Sequence, residues 1–358
     1  MNTLNNLTLV TLAVIAAVTV LTGCGKENPS FSILPEGDSF KQSRGIFNNQ
    51  LDILWVIDNS GSMSPYQQNL VNNFNSFIAN FRTKGYDFKI SVTTTQAYLA
   101  NQAHQNNQLI AKFRDGTDQT SHTGIFTILP TTPNMNNVFV VNATQGTSGT
   151  GDERAFESFK ETLNSPTNAG FLRSQSFLAV IILSDEDDFS GVTRCQGCGA
   201  SRSYSASSLD SVNSYVSYLD TLTRSTAPMR RYNVSNISVT TASCQQQYAS
   251  TGSIMGTRYM ELTAATDGVS GSLCDSSYAG TLDAIQAKIT ELSTQFYLER
   301  IPQVDTIRVK VNGVNIAQNA TNGWVYNSGP NSIVFRGSAI PPQDSTIEIN
   351  YVPMTVRN

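Results

Sequence analysis

The sequence has 358 residues, 39 % of them hydrophobic and only 14 % charged, against about 25 % charged in ordinary globular proteins. That is enough apolar material for a packed core, and the net charge of −4 comes without any Lys/Arg cluster, which excludes a nucleic-acid binder built on a basic stripe. Only two histidines are present, His104 and His122, so a histidine triad or a histidine-rich zinc site has almost nothing to be built from.

Residues 4–22 form one largely apolar run, followed at once by Gly23 and Cys24. An apolar run closed by small residues has the form of a secretory signal. Leu21-Thr22-Gly23-Cys24 resembles the lipobox of bacterial lipoproteins. The resemblance implies a signal peptide over residues 1–23, lipidation of Cys24 and an exported chain held on the membrane by its N-terminal lipid. An uncleaved membrane anchor is the alternative, since about 18 or more apolar residues can span a bilayer. Gly25 stands where an acidic residue favours inner-membrane retention in such lipoproteins, so the outer membrane is the expected destination. Residues 24–48 carry Pro29, Pro35 and Gly37 without sustained periodicity and are expected to be a linker.

The next segment alternates strands and helices. Residues 51–57 (LDILWVI) are apolar except for one Asp, as in a strand buried on both faces. After the polar stretch 58–62, Ser64-Pro65 supplies an N-cap and an N1 proline. Leu70, Phe74, Phe77, Ile78 and Phe81 then follow at helical spacing, and Gly85 closes the helix. Strands are expected at 88–95, 137–141, 177–183, 237–242 and 269–273. Helices are expected at 153–163, 208–222 and 258–266, with a last one marked by Leu282, Ile285, Ile289, Leu292 and Phe296. This order predicts an α/β fold, a doubly wound and mostly parallel sheet flanked by helices. Ligands of such sheets bind beyond the carboxyl ends of the strands, where Asp58 and Asp185 both fall.

Asp58-x-Ser60-x-Ser62 after a buried strand resembles the first motif of the von Willebrand factor A domain. Two further segments fit the same family. Thr150 lies in a Gly-rich stretch five residues before Ala155, and Asp185 follows the apolar run 177–183. The resemblance covers residues 49–298 and implies a metal-ion-dependent adhesion site made of Asp58, Ser60, Ser62, Thr150 and Asp185. Its ion would be Mg2+ or Mn2+, and its partner a protein presenting Asp or Glu. In that family the aspartates often act through water and leave one coordination position open. The donor set suits the task, because Mg2+ takes six oxygens and keeps waters readily. Two carboxylates leave the ion electrophilic toward an external acid. The competing structural reading makes Ser60, Ser62 and Thr150 helix caps and Asp58 a partner of strand-end amides.

Asp185-Glu186-Asp187-Asp188 is the densest charge run. Its last three residues are expected to form a solvated loop, the alternative being an acidic lip for a second cation. Apart from Cys24, the cysteines are Cys195, Cys198, Cys244 and Cys274. Export favours two disulfides, with Cys244–Cys274 and Cys195–Cys198 preferred over a crossed pairing. A zinc site of four thiolates is the alternative.

Beyond residue 298 the period changes from 3.6 to 2, and Asn312-Gly313 is a strong hairpin turn. Residues 299–358 are expected to form a small antiparallel β domain docked on the last helix, since sixty residues make a thin core. The whole is expected to be no enzyme but an exported, lipid-anchored binding protein acting in adhesion or envelope assembly. A structural envelope lipoprotein with a vestigial or purely stabilising metal site is the alternative. A phosphotransferase of the haloacid-dehalogenase type would want an Asp where Ser60 stands.

Overall fold

The computed structural model describes residues 40–41, 45–118, 121–191 and 209–354. Cys24, Cys195 and Cys198, with the expected signal and lipid site, lie outside the described residues. Two short strands come first, β1 (Phe40–Lys41) and β2 (Gly45–Ile46). Both pair antiparallel with a strand near the end of the chain, so the expected linker of residues 24–48 gives way to paired strands over its last part.

The central layer then forms from β3 (Gln50–Ile57), β4 (Asp87–Thr94), β5 (Thr127–Ile128), β6 (Phe177–Leu183), β7 (Tyr232–Ser238) and β8 (Ser270–Ser272). Their spatial order is β5-β4-β3-β6-β7-β8, parallel throughout except for β5. The result is an α/β arrangement, a mixed but mostly parallel sheet flanked by helices. The α-helices among the described residues are α1 (Ser64–Thr83), α2 (Met135–Ala143), α3 (Ala155–Asn164), α4 (Val212–Thr223), α5 (Ala242–Gln247), α6 (Thr257–Ala265) and α7 (Ala279–Ser293).

The apolar runs of β3 and β6 are continuous because both faces are covered. Leu51, Ile53, Trp55 and Ile57 of β3 face a core shared with α1, α2 and α7, whereas Leu54 and Val56 face one shared with α3, α4 and α6. Asp52, the single acid in the run, is fully buried and paired with Arg173 at 2.7 Å, which also donates its backbone N–H to it.

Residues 137–141, expected as a strand on their Val and Phe content, are helical within α2. Met135, Val138, Phe139 and Asn142 are buried at three- and four-residue spacing. Phe139 stacks on Phe74 at 3.5 Å and meets Trp55 edge-on at 5.7 Å, so packing on the sheet overrides β-propensity. The fourth parallel strand is Tyr232–Ser238, earlier than the expected 237–242. Its polar residues hid it: Asn236 is buried and donates to the Thr263 and Ser270 hydroxyls, at 2.7 and 2.8 Å.

α7 ends at Ser293, so Phe296, expected on that helix, lies instead in β9 (Gln295–Tyr297), opposite Ile333 and against Phe335. The chain continues through β10 (Arg308–Val311), β11 (Val314–Ile316), β12 (Trp324–Asn327), β13 (Ser332–Phe335) and β14 (Thr346–Tyr351). These make two antiparallel sheets, one of order β12-β13-β9 and the other of order β1-β14-β10-β11 with β2 also on β14. Asn312-Gly313 turns the β10–β11 hairpin with φ of 49° and 81°, the left-handed conformations such a turn requires. The two sheets share a core that includes Phe47, Val309, Trp324, Phe335, Ile347 and Tyr351.

Candidate functional site

Asp58 and Asp185 each follow a central strand of the parallel sheet, on adjacent strands and at the same end. The Asp58 N–H donates to the Leu183 carbonyl at 2.9 Å, extending the β3–β6 ladder by one residue. The chain then turns, and Asp58 Oδ1 accepts the Ser60 N–H at 2.8 Å. This carboxylate-to-amide bond two residues on is the local turn that Asp favours. Ser60 Oγ and Ser62 Oγ end 3.4 Å apart, and α1 starts two residues later with Pro65 in its first turn.

Ser184 fixes the second oxygen of Asp58, donating its hydroxyl to Oδ2 at 2.7 Å. Asp185 Oδ2 accepts the Ser253 hydroxyl at 3.2 Å, and the Asp185 carbonyl accepts the Ile254 N–H at 2.9 Å. The other carboxylate oxygen, Oδ1, is enclosed with no hydrogen-bond partner. An enclosed acceptor of this kind costs free energy unless something else satisfies it.

Both carboxylates are fully buried, which pushes their pKa values up. For Asp58, burial and then the Asp185 charge raise it to about 7, against the bonds from Ser184 and Ser60. For Asp185, burial again leads, with the Ser62 and Ser253 hydroxyls pulling the other way. Two buried acids in mutual repulsion, two hydroxyls beside them and one unsatisfied oxygen suit a hard divalent cation.

Thr150 is exposed at the rim of the same end. The residue before it places it: Gly149 donates its N–H to the Asn59 carbonyl at 2.7 Å. A Cβ at Gly149 would come within 2.5 Å of that carbonyl, so only glycine permits the approach. Thus Asp58, Ser60, Ser62 and Asp185 come together, and Thr150 is held against the loop that carries the first three. No group of three or more His, Cys, Asp or Glu set to hold a metal occurs among the described residues, the candidate set being two carboxylates and three hydroxyls.

The expectation of a solvated loop fails at Asp187 and Asp188, while Glu186 is partly exposed. Asp187 and Asp188 are buried, and each caps a helix that is remote in sequence. Asp187 accepts the Arg258 N–H at the start of α6, at 3.0 Å. Asp188 accepts the Phe156 N–H at the start of α3, at 2.9 Å, and pairs with the Arg258 guanidinium at 3.2 Å. Carboxylates at helix N-termini meet unpaired N–H groups and the positive end of the dipole. Burial still raises Asp187 to about 7.

Between Thr150 and α3 lies a buried ionic network. Arg154 is 1 % exposed, bonds Asp152 at 3.2 Å and Glu157 at 3.5 Å, donates to the Gly191 carbonyl and lies over the Tyr98 ring. Glu157 also meets His104 Nε2 at 2.8 Å, and its own burial lifts it to about 7 despite Arg154.

Cys244, in α5 beyond β7, forms a disulfide with Cys274, two residues past β8, with their Cα atoms 5.7 Å apart. This removes the crossed pairing and leaves neither sulfur as a thiolate for a four-thiolate zinc site.

Ser184 and Ser253 escaped the sequence reading as residues that contact the candidate carboxylates. Ser184 had a local signal, as the residue before Asp185 at a strand end; Ser253 reaches the site only through the fold.

No protein-family model and no curated protein matches this sequence. Among solved structures, it is similar to proximal thread matrix protein 1 of the mussel byssus, at 12 % identity and a TM-score of 0.39, over 73 % of this chain and 52 % of that one. It is also similar to the pilus adhesin SpaC of Lactobacillus rhamnosus GG, at 12 % identity and a TM-score of 0.37, over 87 % of this chain and 39 % of that one. The chain thus spans about half or less of the length of these neighbours.

Proposed function

We propose that this is an exported, lipid-anchored binding protein with a von Willebrand factor A-like domain, which captures an acidic group of a protein partner through Mg2+ or Mn2+. Asp58, Ser60, Ser62, Thr150 and Asp185 would hold the ion. The observation that carries the reading is the pair of buried, mutually repelling carboxylates at adjacent strand ends, with the Asp185 oxygen left unsatisfied.

When bound, the ion supplies positive charge and an open coordination position. The protein's own groups do the rest. Ser184 and Ser253 orient the two carboxylates, and the Ser60 and Ser62 hydroxyls add oxygen donors without adding charge. A shell with few negative ligands keeps its affinity for an outside carboxylate. Anchoring by lipid at Cys24 would set this face at the cell envelope, probing a partner in adhesion or assembly.

The test is retention of Asp- and Glu-bearing peptides on the immobilised protein, beside the same peptides as Asn and Gln. Retention of the acidic set in Mg2+ and its release by EDTA is the expected result. Capture of a partner indifferent to EDTA would instead favour a structural envelope lipoprotein whose ion only stabilises.

A further inference from the structure

Gln67 lies in the first turns of α1 and is 2 % exposed. Its Nε2 donates to the Asp58 carbonyl at 2.8 Å and to the Gly146 carbonyl at 2.9 Å. Its Oε1 accepts the N–H groups of Gln145 and Gly146, at 3.0 and 3.1 Å. Both donors and both lone pairs of the amide are therefore used. Two carbonyls on one side and two N–H groups on the other leave the amide one orientation.

These four bonds join the two halves of the candidate site. One end is the backbone of Asp58. The other is the stretch that leads, through Gly146 at φ 69° and Gly149 against Asn59, to Thr150. Without Gln67, the Asp58 loop and the Thr150 loop share the single Gly149–Asn59 bond among the backbone hydrogen bonds described.

We propose that Gln67 is a positioning residue that sets the spacing between Asp58 and Thr150, so that the oxygen donors of both loops converge on one ion. It touches neither the ion nor a partner, and it acts whether or not metal is bound. The inference rests on the metal-site reading above. Glutamate cannot replace it, because a carboxylate has no donor for the carbonyls of Asp58 and Gly146. Methionine keeps the length and apolar stem but none of the four bonds.

The experiment compares wild type, Gln67→Glu, Gln67→Met and Gln286→Met by Mg2+ titration calorimetry, thermal melting in EDTA and amide exchange of the metal-free protein. Gln286 is a buried residue of α7 and serves as the control for general loss of stability. Loss of a supporting partner typically weakens metal affinity about 10–100-fold, which is the fall expected for both Gln67 variants. Gln67→Met should also lose exchange protection at Gln145 and Gly146 without metal, while Gln286→Met should melt earlier yet bind Mg2+ as wild type does. Wild-type affinity in Gln67→Met, or equal weakening in Gln286→Met, would overturn the proposal. Should the wild type itself bind no Mg2+, the metal-site reading fails and the positioning role toward an ion falls with it. Unchanged protection at Gln145 and Gly146 would separately show that no such clamp exists.

Discussion

Asp58→Asn should abolish saturable Mg2+ binding, a loss of more than about a hundredfold and beyond the cost of losing an outer partner alone. The metal-free variant should nevertheless fold and melt no earlier than wild type at pH 8. Asn keeps the shape and an oxygen to accept from Ser60, and it removes one of two buried charges that repel each other. The pH dependence gives the sign. Asp58 titrates near 7 when folded, against an ordinary value of 3.8, so between about pH 4 and 7 the folded chain holds more protons than the unfolded one. Its contribution to metal-free stability is therefore greatest at low pH and is lost as pH rises through 7. Glu157 and Asp187 slope the same way in both proteins. Melting curves in EDTA should show the variant gaining on wild type from pH 5 to pH 8, and Mg2+ should raise the melting temperature of wild type alone. A variant that aggregates, or falls below wild type at pH 8, would make Asp58 a structural residue.

Arg154→Met should cost about 3–5 kcal/mol of unfolding free energy, the usual penalty for stranding buried carboxylates by removing their partner. Methionine fills much of the space but leaves Asp152 and Glu157 without the guanidinium, and Gly191 without its donor. Glu157 can take up a proton in response, so the loss should be larger at pH 8 than at pH 5. Urea unfolding at the two pH values measures both. A loss below about 1 kcal/mol would mean that the network ranks with surface ion pairs.

How much of this was legible in the sequence follows from the range of the interactions. The strands Gln50–Ile57 and Phe177–Leu183 announce themselves because burial on both faces leaves no polar alternation. Asp58 and Asp185 stood out as candidates because they follow those runs at the strand ends, and Ser60, Ser62 and Thr150 only through the resemblance of their motifs to a known family. Residues 135–143 were not: their Val and Phe content is that of a strand, and only the fit of Phe139 between Phe74 and Trp55 makes them a helix. Asp187 and Asp188 look like solvated charge until the fold brings the starts of α6 and α3 to them. The end of the expected linker was hidden too, since the partner of Phe40–Lys41 lies in the last strand of the chain. Gln67 is one of two adjacent glutamines in a helix rich in asparagine, and nothing local separates it from Gln68.

The most direct measurement is a crystal of the protein grown with Mn2+, with diffraction data collected at a wavelength where manganese scatters anomalously. The account predicts one anomalous peak at the carboxyl ends of β3 and β6, bonded to the Ser60 and Ser62 hydroxyls, beside Asp58, Asp185 and Thr150. It also predicts an open position on that ion facing solvent or holding a carboxylate. A map with no peak there at saturating Mn2+, or with the ion bound elsewhere on the chain, would contradict it.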